Sequence, residues 1–428
     1  MKELQTDVVV IGAGTAGLSA YRNAKQFTQN VLMIESGPYG TTCARVGCMP
    51  SKLLIAAAEA AHSIEMAPAF GVHSSKPVID GKAVMARVKS ERDRFAGFVV
   101  EAVDEIPSED KIRGYAQFLD ANRVQIDDHT IITAKRFVIA TGSRPSYPGV
   151  FNNFGDRLII NDDVFDWDDL PESVAVFGPG VIGLEIGQAL HRLGVKVKLF
   201  GVGGAIGPLT DPVVKDYANT VFAEEFYVDT DSNVSDMKKV GNKAELTYTD
   251  KQGVKHTKQF DYVLAATGRV PNTDKLGLEN TGIELDERGV PTADAHTMQC
   301  GDSHIFIAGD ASNMLPLLHE ASDQGTIAGQ NAGRYPQVRA GLRRAKIAAV
   351  FSDPQIAMVG ESFKEISQRL GSCDCFEIGE VSFENQGRSR VMLKNKGHMR
   401  VYAEHGTGLF LGAEFIGPQA EHIAHLLA

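Results

Sequence analysis

The chain has 428 residues, 43% hydrophobic and 23% charged, with a formal net charge of −11. That length exceeds one compact core and predicts about three domains, and the acidity excludes a general nucleic-acid binder, which carries a basic face. No apolar run reaches the ~20 residues needed to cross a bilayer, and five cysteines, few and odd in number, exclude a secreted disulfide scaffold.

The N-terminus enters a strand-like run at once, which leaves no room for a cleavable signal peptide. The expected compartment is therefore the reducing cytoplasm, where a persistent disulfide is usually catalytic or sensory. "DVVVIGAGTAGLSAYRNAKQ" (residues 7–26) reads as a strand, a tight turn at Gly12, Gly14 and Gly17, and a helix, with a second strand at "NVLMIE" (30–35). This is the βαβ unit that binds dinucleotides. The first glycine permits the turn, the second lets backbone approach a pyrophosphate, and the third lets helix pack closely on strand, with the helix N-terminus facing the anion. Glu35, 21 residues after Gly14, ends the second strand, where a carboxylate can accept a hydrogen bond from a ribose hydroxyl.

"TTCARVGCMPSK" (41–52) follows a Gly-Pro-Tyr-Gly loop and leads into a helix-like run over 51–66. Its cysteines, Cys43 and Cys48, are two residues further apart than in CxxC. A bend in the first turn would bring their Cα atoms within the ~4.4–6.8 Å that a disulfide requires. A thiolate is favoured near a helix N-terminus, and Lys52 adds a cation one turn on. From these residues alone, a redox pair and two buried thiols both remain open.

"FVIATGSRP" (137–145) is an apolar strand running into Thr141-Gly142, with Pro145 beyond. "SVAVFGPGVIGLEIGQALHRLG" (173–194) repeats the first unit with Gly178, Gly180 and Gly183, and "KVKLFG" (196–201) supplies its second strand. The position corresponding to Glu35 is Gly201, and residues 199–207 contain no lysine or arginine to hold a 2′-phosphate. Nicotinamide preference is thus open, leaning to NAD without excluding NADP. "YVLAATGRVP" (262–271) repeats the strand into Ala-Thr-Gly at Thr267-Gly268, and "HIFIAGDAS" (304–312) is a buried strand ending in Gly309-Asp310. Asp310 can hydrogen-bond a ribityl or phosphate-bearing chain, and the same dipeptide also reads as a plain turn. His319 lies in the next helix, with a packing role and a direct role both open.

After about residue 345, strand-like runs are expected at 389–394, 398–404 and 408–416, with a hairpin turn at 404–408 and a last helix with Pro418 in its first turn. Cys300 and the alternating Cys373 and Cys375 read as structural.

With these motifs in this order, the sequence from residue 7 onward resembles the pyridine nucleotide–disulfide oxidoreductases, the flavin-dependent family that includes dihydrolipoamide dehydrogenase, glutathione reductase and mercuric reductase. The resemblance implies an α/β fold of two Rossmann-like domains and an α+β dimerisation domain. Residues 1–148 are expected to bind FAD, 149–270 to bind NAD(P), 271–344 to complete the FAD domain, and 345–428 to form the dimer interface. It implies that Gly12, Gly14, Gly17, Glu35, Thr141, Gly142 and Asp310 hold FAD, and that Gly178, Gly180, Gly183 and Gly268 hold the nicotinamide cofactor. Cys43 is then the outer thiol that exchanges with substrate and Cys48 the inner thiol beside the flavin. Lys52 and Glu185 form a pair near the flavin, the lysine balancing charge on the reduced ring. No metal is implied.

Pro50-Ser51-Lys52 resembles the same run in dihydrolipoamide dehydrogenases and mercuric reductases, and Cys373 and Cys375 lie too far from the C-terminus to match the cysteine pair of the latter. Dihydrolipoamide dehydrogenase is the best fit, which implies oxidation of dihydrolipoamide by NAD⁺, a homodimer, and lipoyl domains of 2-oxoacid dehydrogenase complexes as partners. Gly201 departs from the glutamate usual there. Reduction of another disulfide or an electrophile, as in glutathione or mercuric reductase, and a redox-responsive flavin-binding protein with little turnover are the alternatives. The family's general base lies in a C-terminal His-Pro motif and acts on the other subunit's cysteines. No His-Pro occurs here, and His422 and His425 do not match it, so the interface domain is expected to be incomplete.

Overall fold

The computed structural model describes residues 1–371 and 376–428. Cys373 and Cys375 lie outside the described residues. The chain divides into two compact units: Met1–Met49, Arg92–Arg144 and Arg269–Arg343 form the first, and Pro50–Glu91, Pro145–Gly268 and Arg344–Ala428 the second.

The first unit is built on a seven-stranded sheet. Lys2–Ile11 lies at its centre, pairing in parallel with Val31–Glu35 on one side and with Thr130–Ile139 on the other. The paired runs 8–11, 31–34 and 137–139 are β-branched or apolar because strands buried on two faces read as continuous hydrophobic runs; Val8, Val9 and Val10 are fully buried. Ile305–Ile307 joins late, pairing in parallel with Phe137–Ile139. Helix Thr15–Ala24 packs on helix Leu318–Arg334. An added Cβ at Gly325 would lie 2.2 Å from the Ala16 carbonyl oxygen, and one at Gly329 2.3 Å from that of Ala20, so the two helices meet backbone to backbone.

The second unit carries a five-stranded parallel sheet in the order Tyr227–Asp229, Lys196–Phe200, Ser173–Phe177, Tyr262–Ala265, Leu158–Ile159. It also contains a three-stranded antiparallel sheet over Asn233–Phe260 and a five-stranded antiparallel sheet in its C-terminal part. Glu414, fully buried in that last sheet, accepts the amides of Thr210 (2.6 Å), Asp211 (2.8 Å) and Phe363 (2.8 Å). Asp211 in turn receives Arg400 at 3.0 Å and the Tyr402 hydroxyl at 2.9 Å. Buried polar networks of this kind hold the joined segments in a fixed geometry.

The α/β architecture with two Rossmann-like sheets is the one expected. Strands His398–Glu404 and Phe410–Gly417 fall where the sequence predicts them. Residues 389–394 are not a strand: Gly387–Val391 is a short helix, capped by the Gln386 side chain accepting the Ser389 amide at 2.6 Å. Local capping outweighs the apolar run, and Val391 points to solvent. Pro418 precedes the last helix, Ala420–Leu427, rather than opening it. No helix among the described residues is long and apolar enough to cross a membrane.

Candidate functional site

The two glycine turns are near copies. Gly12 has φ +111° and Gly178 φ +104°, a region closed to other residues. A Cβ at either would strike the carbonyl oxygen of Ala140 or Ala266 at 2.3 Å. Gly17 and Gly183 lie so near the preceding turn that a Cβ would sit 1.9 Å from the Gly12 or Gly178 oxygen. Gly14 and Gly180 cap the helices Thr15–Ala24 and Val181–Arg192 with almost the same dihedrals (φ −78°, ψ −172° and φ −77°, ψ −171°), and a Cβ there meets nothing within 4 Å. Each helix N-terminus thus faces an open cradle of backbone amides, which fits the pyrophosphate of a dinucleotide.

The two units differ at the end of the second strand. Glu35 accepts the Ala13 amide through Oε2 and the Gly37 amide through Oε1, each at 2.7 Å, which pins its carboxylate beside the first turn. Gly201 has no such group. The Thr141 hydroxyl donates to the Asn272 carbonyl at 2.9 Å, and the Asn272 amide side chain returns a bond to Thr141 O at 3.0 Å. Gly142 (φ +68°) and Gly268 (φ +145°) end their respective Ala-Thr-Gly turns. Asp310, in the turn Gly309–Ser312, accepts the Ser143 hydroxyl at 2.7 Å. Ser143 itself receives Arg269 Nε at 2.8 Å, so Arg269, Ser143 and Asp310 form a chain that sequence reasoning missed. The signal was present, since Ser143 and Arg269 each follow an Ala-Thr-Gly.

Cys43 lies in the short helix Thr42–Val46 and Cys48 is the first residue of the helix Cys48–Met66, three residues earlier than the helix expected from 51. They form a close pair, and both are half-buried. Between them the chain bends at Gly47, where an added Cβ would lie 3.3 Å from Cys43 Cα and 3.1 Å from Thr42 O. The bend is what the spacing required. It also sets Cys48 at the positive end of a 19-residue helix, where a thiolate is stabilised. Cys300 differs in kind: it is buried in the core, and burial pushes its thiol up to about 12.

Lys52 belongs to the same helix, and its Nζ lies 2.8 Å from Glu185 Oε2. Glu185 is buried in the helix opened by Gly180, and its Oε1 accepts the Phe351 amide at 3.0 Å. The Phe351 ring lies against the ammonium, 4.5 Å from Nζ to centroid. The lysine is thus held by a carboxylate and an aromatic face, which offset the cost of taking its charge partly out of water. His319, second in the helix Leu318–Arg334, is half-buried, and its Nε2 has no hydrogen-bond partner among the described residues. His422 and His425 are exposed on the last helix.

The family model described as pyridine nucleotide-disulphide oxidoreductase matches residues 6–325, and the dimerisation domain of the same family matches 347–428. The dihydrolipoyl dehydrogenases of Chlamydia pneumoniae and Geobacillus stearothermophilus are each 31% identical, over 97% of this chain and 88% of theirs. Among solved structures, the HOCl-induced flavoprotein disulfide reductase RclA from Escherichia coli shares the fold, with a TM-score of 0.79 at 21% identity over 98% of this chain and 92% of that one. Enzymes of this kind use FAD and a nicotinamide dinucleotide, and the dimerisation domain supports a homodimer. The match of both family models, in order and over almost the whole length, shows that the chain belongs to the pyridine nucleotide–disulphide oxidoreductases.

Proposed function

We propose that the protein is a dihydrolipoamide dehydrogenase, oxidising a dihydrolipoyl dithiol with NAD⁺ through a Cys43–Cys48 disulfide. The observation that carries this reading is the bend at Gly47, which sets two half-buried cysteines together at a helix start; the naming of relatives over nearly the full chain supports the substrate. One substrate thiolate attacks Cys43, forming a mixed disulfide and releasing Cys48 as a thiolate that the helix N-terminus favours. The second substrate thiolate then attacks the mixed disulfide, closing lipoamide and releasing Cys43. The substrate has lost two electrons and two protons, and the protein holds the pair as a dithiol.

Bound FAD would accept the electron pair from the dithiol and deliver it as hydride to NAD⁺, the other proton going to solvent. In this reading Gly12, Gly14, Gly17, Glu35, Thr141, Gly142 and Asp310 hold FAD, and Gly178, Gly180, Gly183 and Gly268 hold the nicotinamide dinucleotide. Lys52, oriented by Glu185, supplies positive charge for the reduced cofactor. Lipoyl domains of 2-oxoacid dehydrogenase complexes are the proposed partners, and the cytoplasm the proposed location.

Anaerobic titration of the purified holoprotein with dihydrolipoamide tests the reading. Long-wavelength absorbance appearing with the first equivalent in the wild type, and already present before any reductant in Cys43→Ser, is the expected result. Turnover with glutathione disulfide or mercuric ion but not with dihydrolipoamide would move the assignment to another member of the family.

A further inference from the structure

The second glycine turn lacks a carboxylate at the end of its second strand, and the packing supplies the reason. A Cβ on Gly201 would lie 2.6 Å from Pro179 Cγ, 2.8 Å from its Cδ and 2.9 Å from the Thr230 carbonyl oxygen. Two of these atoms belong to a rigid ring and the third to backbone, so no side chain fits there. Pro179 is part of the Gly178–Gly183 turn itself. The residue that shapes the turn therefore forbids an acid at 201.

A carboxylate reaches the same loop from the neighbouring strand. Tyr227–Asp229 pairs in parallel with Lys196–Phe200, with Asp229 opposite Phe200, so the two strands end at one edge of the sheet. The chain beyond Asp229 then folds over the loop that starts at Gly201. Ser232 donates its amide (2.9 Å) and its hydroxyl (2.8 Å) to Gly201 O, and Thr230 O accepts the Gly204 amide at 2.9 Å. Asp231 accepts the Gly203 amide through Oδ1 at 2.8 Å. It is exposed, and its Oδ2 takes no hydrogen bond from any described residue. Residues 199–207 carry no cation, and Val202 stands 83% exposed beside it.

We propose that Asp231 reads the adenosine ribose of the nicotinamide cofactor, accepting a hydrogen bond from its 2′-hydroxyl and so selecting NAD(H) over NADP(H). A carboxylate is acceptor-only when ionised, which suits a hydroxyl donor and repels a 2′-phosphate that no cation of residues 199–207 compensates. The amide of Gly203 fixes the orientation of Asp231, as the amides of Ala13 and Gly37 fix that of Glu35 in the first unit. The inference rests on the reading that the Gly178–Gly183 turn binds the pyridine nucleotide.

The test is isothermal titration calorimetry of the FAD-loaded full chain with ADP-ribose and 2′-phospho-ADP-ribose, probes that undergo no redox reaction. The wild type is expected to bind ADP-ribose at least about tenfold more tightly, and Asp231→Asn to narrow that gap by about tenfold, the usual loss for one charge-assisted hydrogen bond. Val202→Arg, at a position where a larger side chain meets only solvent, is expected to strengthen binding of the 2′-phosphorylated probe by about tenfold. Equal or tighter binding of the 2′-phosphorylated probe by the wild type overturns the proposal whether or not the variants fold. So does an unchanged ratio in Asp231→Asn, or a Val202→Arg variant that gains nothing. Binding of neither probe by the wild type is a separate outcome that removes the pyridine-nucleotide reading of the turn, and the proposal with it.

Discussion

Lys52 Nζ stands 2.8 Å from Glu185 Oε2, although the two residues are separated by most of the first half of the chain. The carboxylate is 4% exposed, whereas the lysine side chain is 34% exposed. Breaking a buried pair costs about 3–5 kcal/mol, and the lysine's access to water reduces that to about 1–3 kcal/mol here. Lys52→Met is expected to destabilise more than Glu185→Gln, because only the former leaves a buried carboxylate without its cation. The check is urea unfolding of both variants and the double variant; strict additivity would mean that the pair contributes nothing.

Gly17 and Gly14 should respond to alanine in opposite ways. Gly17→Ala drives a methyl into the Gly12 carbonyl, so helix and strand must separate, at a cost of about 1–3 kcal/mol or more. Gly14→Ala meets nothing in the protein. Its thermal midpoint without cofactor should stay near the wild-type value while the FAD content of the purified protein falls. An apoprotein of Gly14→Ala that melts as early as Gly17→Ala would show that the cradle is structural.

Gly47→Ala crowds Thr42 O and Cys43 Cα by a few tenths of an ångström rather than by a clash. Stability should change by less than about 1 kcal/mol. Turnover should fall by roughly ten- to a hundredfold, since small displacements of reacting groups carry such penalties. Stopped-flow reduction by dihydrolipoamide, set beside the melting curve, separates the two effects.

Cys300 gives a pH signature. Its thiol is raised from the ordinary 9.0 to about 12 by burial. Below pH 9 both folded and unfolded forms are protonated and the contribution is complete. As pH rises from 9 towards 12 the unfolded thiol ionises and the folded one does not, so stability declines by up to about 1.4 kcal/mol per pH unit. Unfolding at pH 8 and pH 10.5 should show this extra slope in the wild type and not in Cys300→Val. An equal slope in both would remove the assignment to this thiol.

The sequence carried those features that depend on local chain geometry. Gly12-x-Gly14 and Gly178-x-Gly180 are legible because the turn demands glycine at fixed offsets, whatever the distant packing. The cysteine spacing was legible for the same reason, including the need for a bend, although not that Gly47 makes it. What local reading could not supply is long-range. Pro179 facing Gly201, Gly325 and Gly329 facing the Ala16 and Ala20 carbonyls, and Glu414 gathering amides from Thr210 and Phe363 each join segments far apart in the chain. Lys52 and Glu185 were paired only by family resemblance, because no spacing rule connects them. At 389–394 the reading failed where a glutamine cap reversed the preference of an apolar run.

The interrupted make-up of the first unit bears on how the chain is born. Phe137–Ile139 must wait for Ile305–Ile307 before its sheet is complete, and the helix that backs Thr15–Ala24 comes later still. At ribosomal speeds of about 5–20 residues per second, that interval is roughly 10–30 s. During it the parallel sheet formed between Leu158 and Ala265 has all its strands and can fold. The nascent first unit meanwhile presents one bare edge of Thr130–Ile139, made of Phe137, Val138 and Ile139, open to any other strand. Synthesis therefore completes the parallel sheet of the middle segment before the sheet whose central strand emerges first from the ribosome.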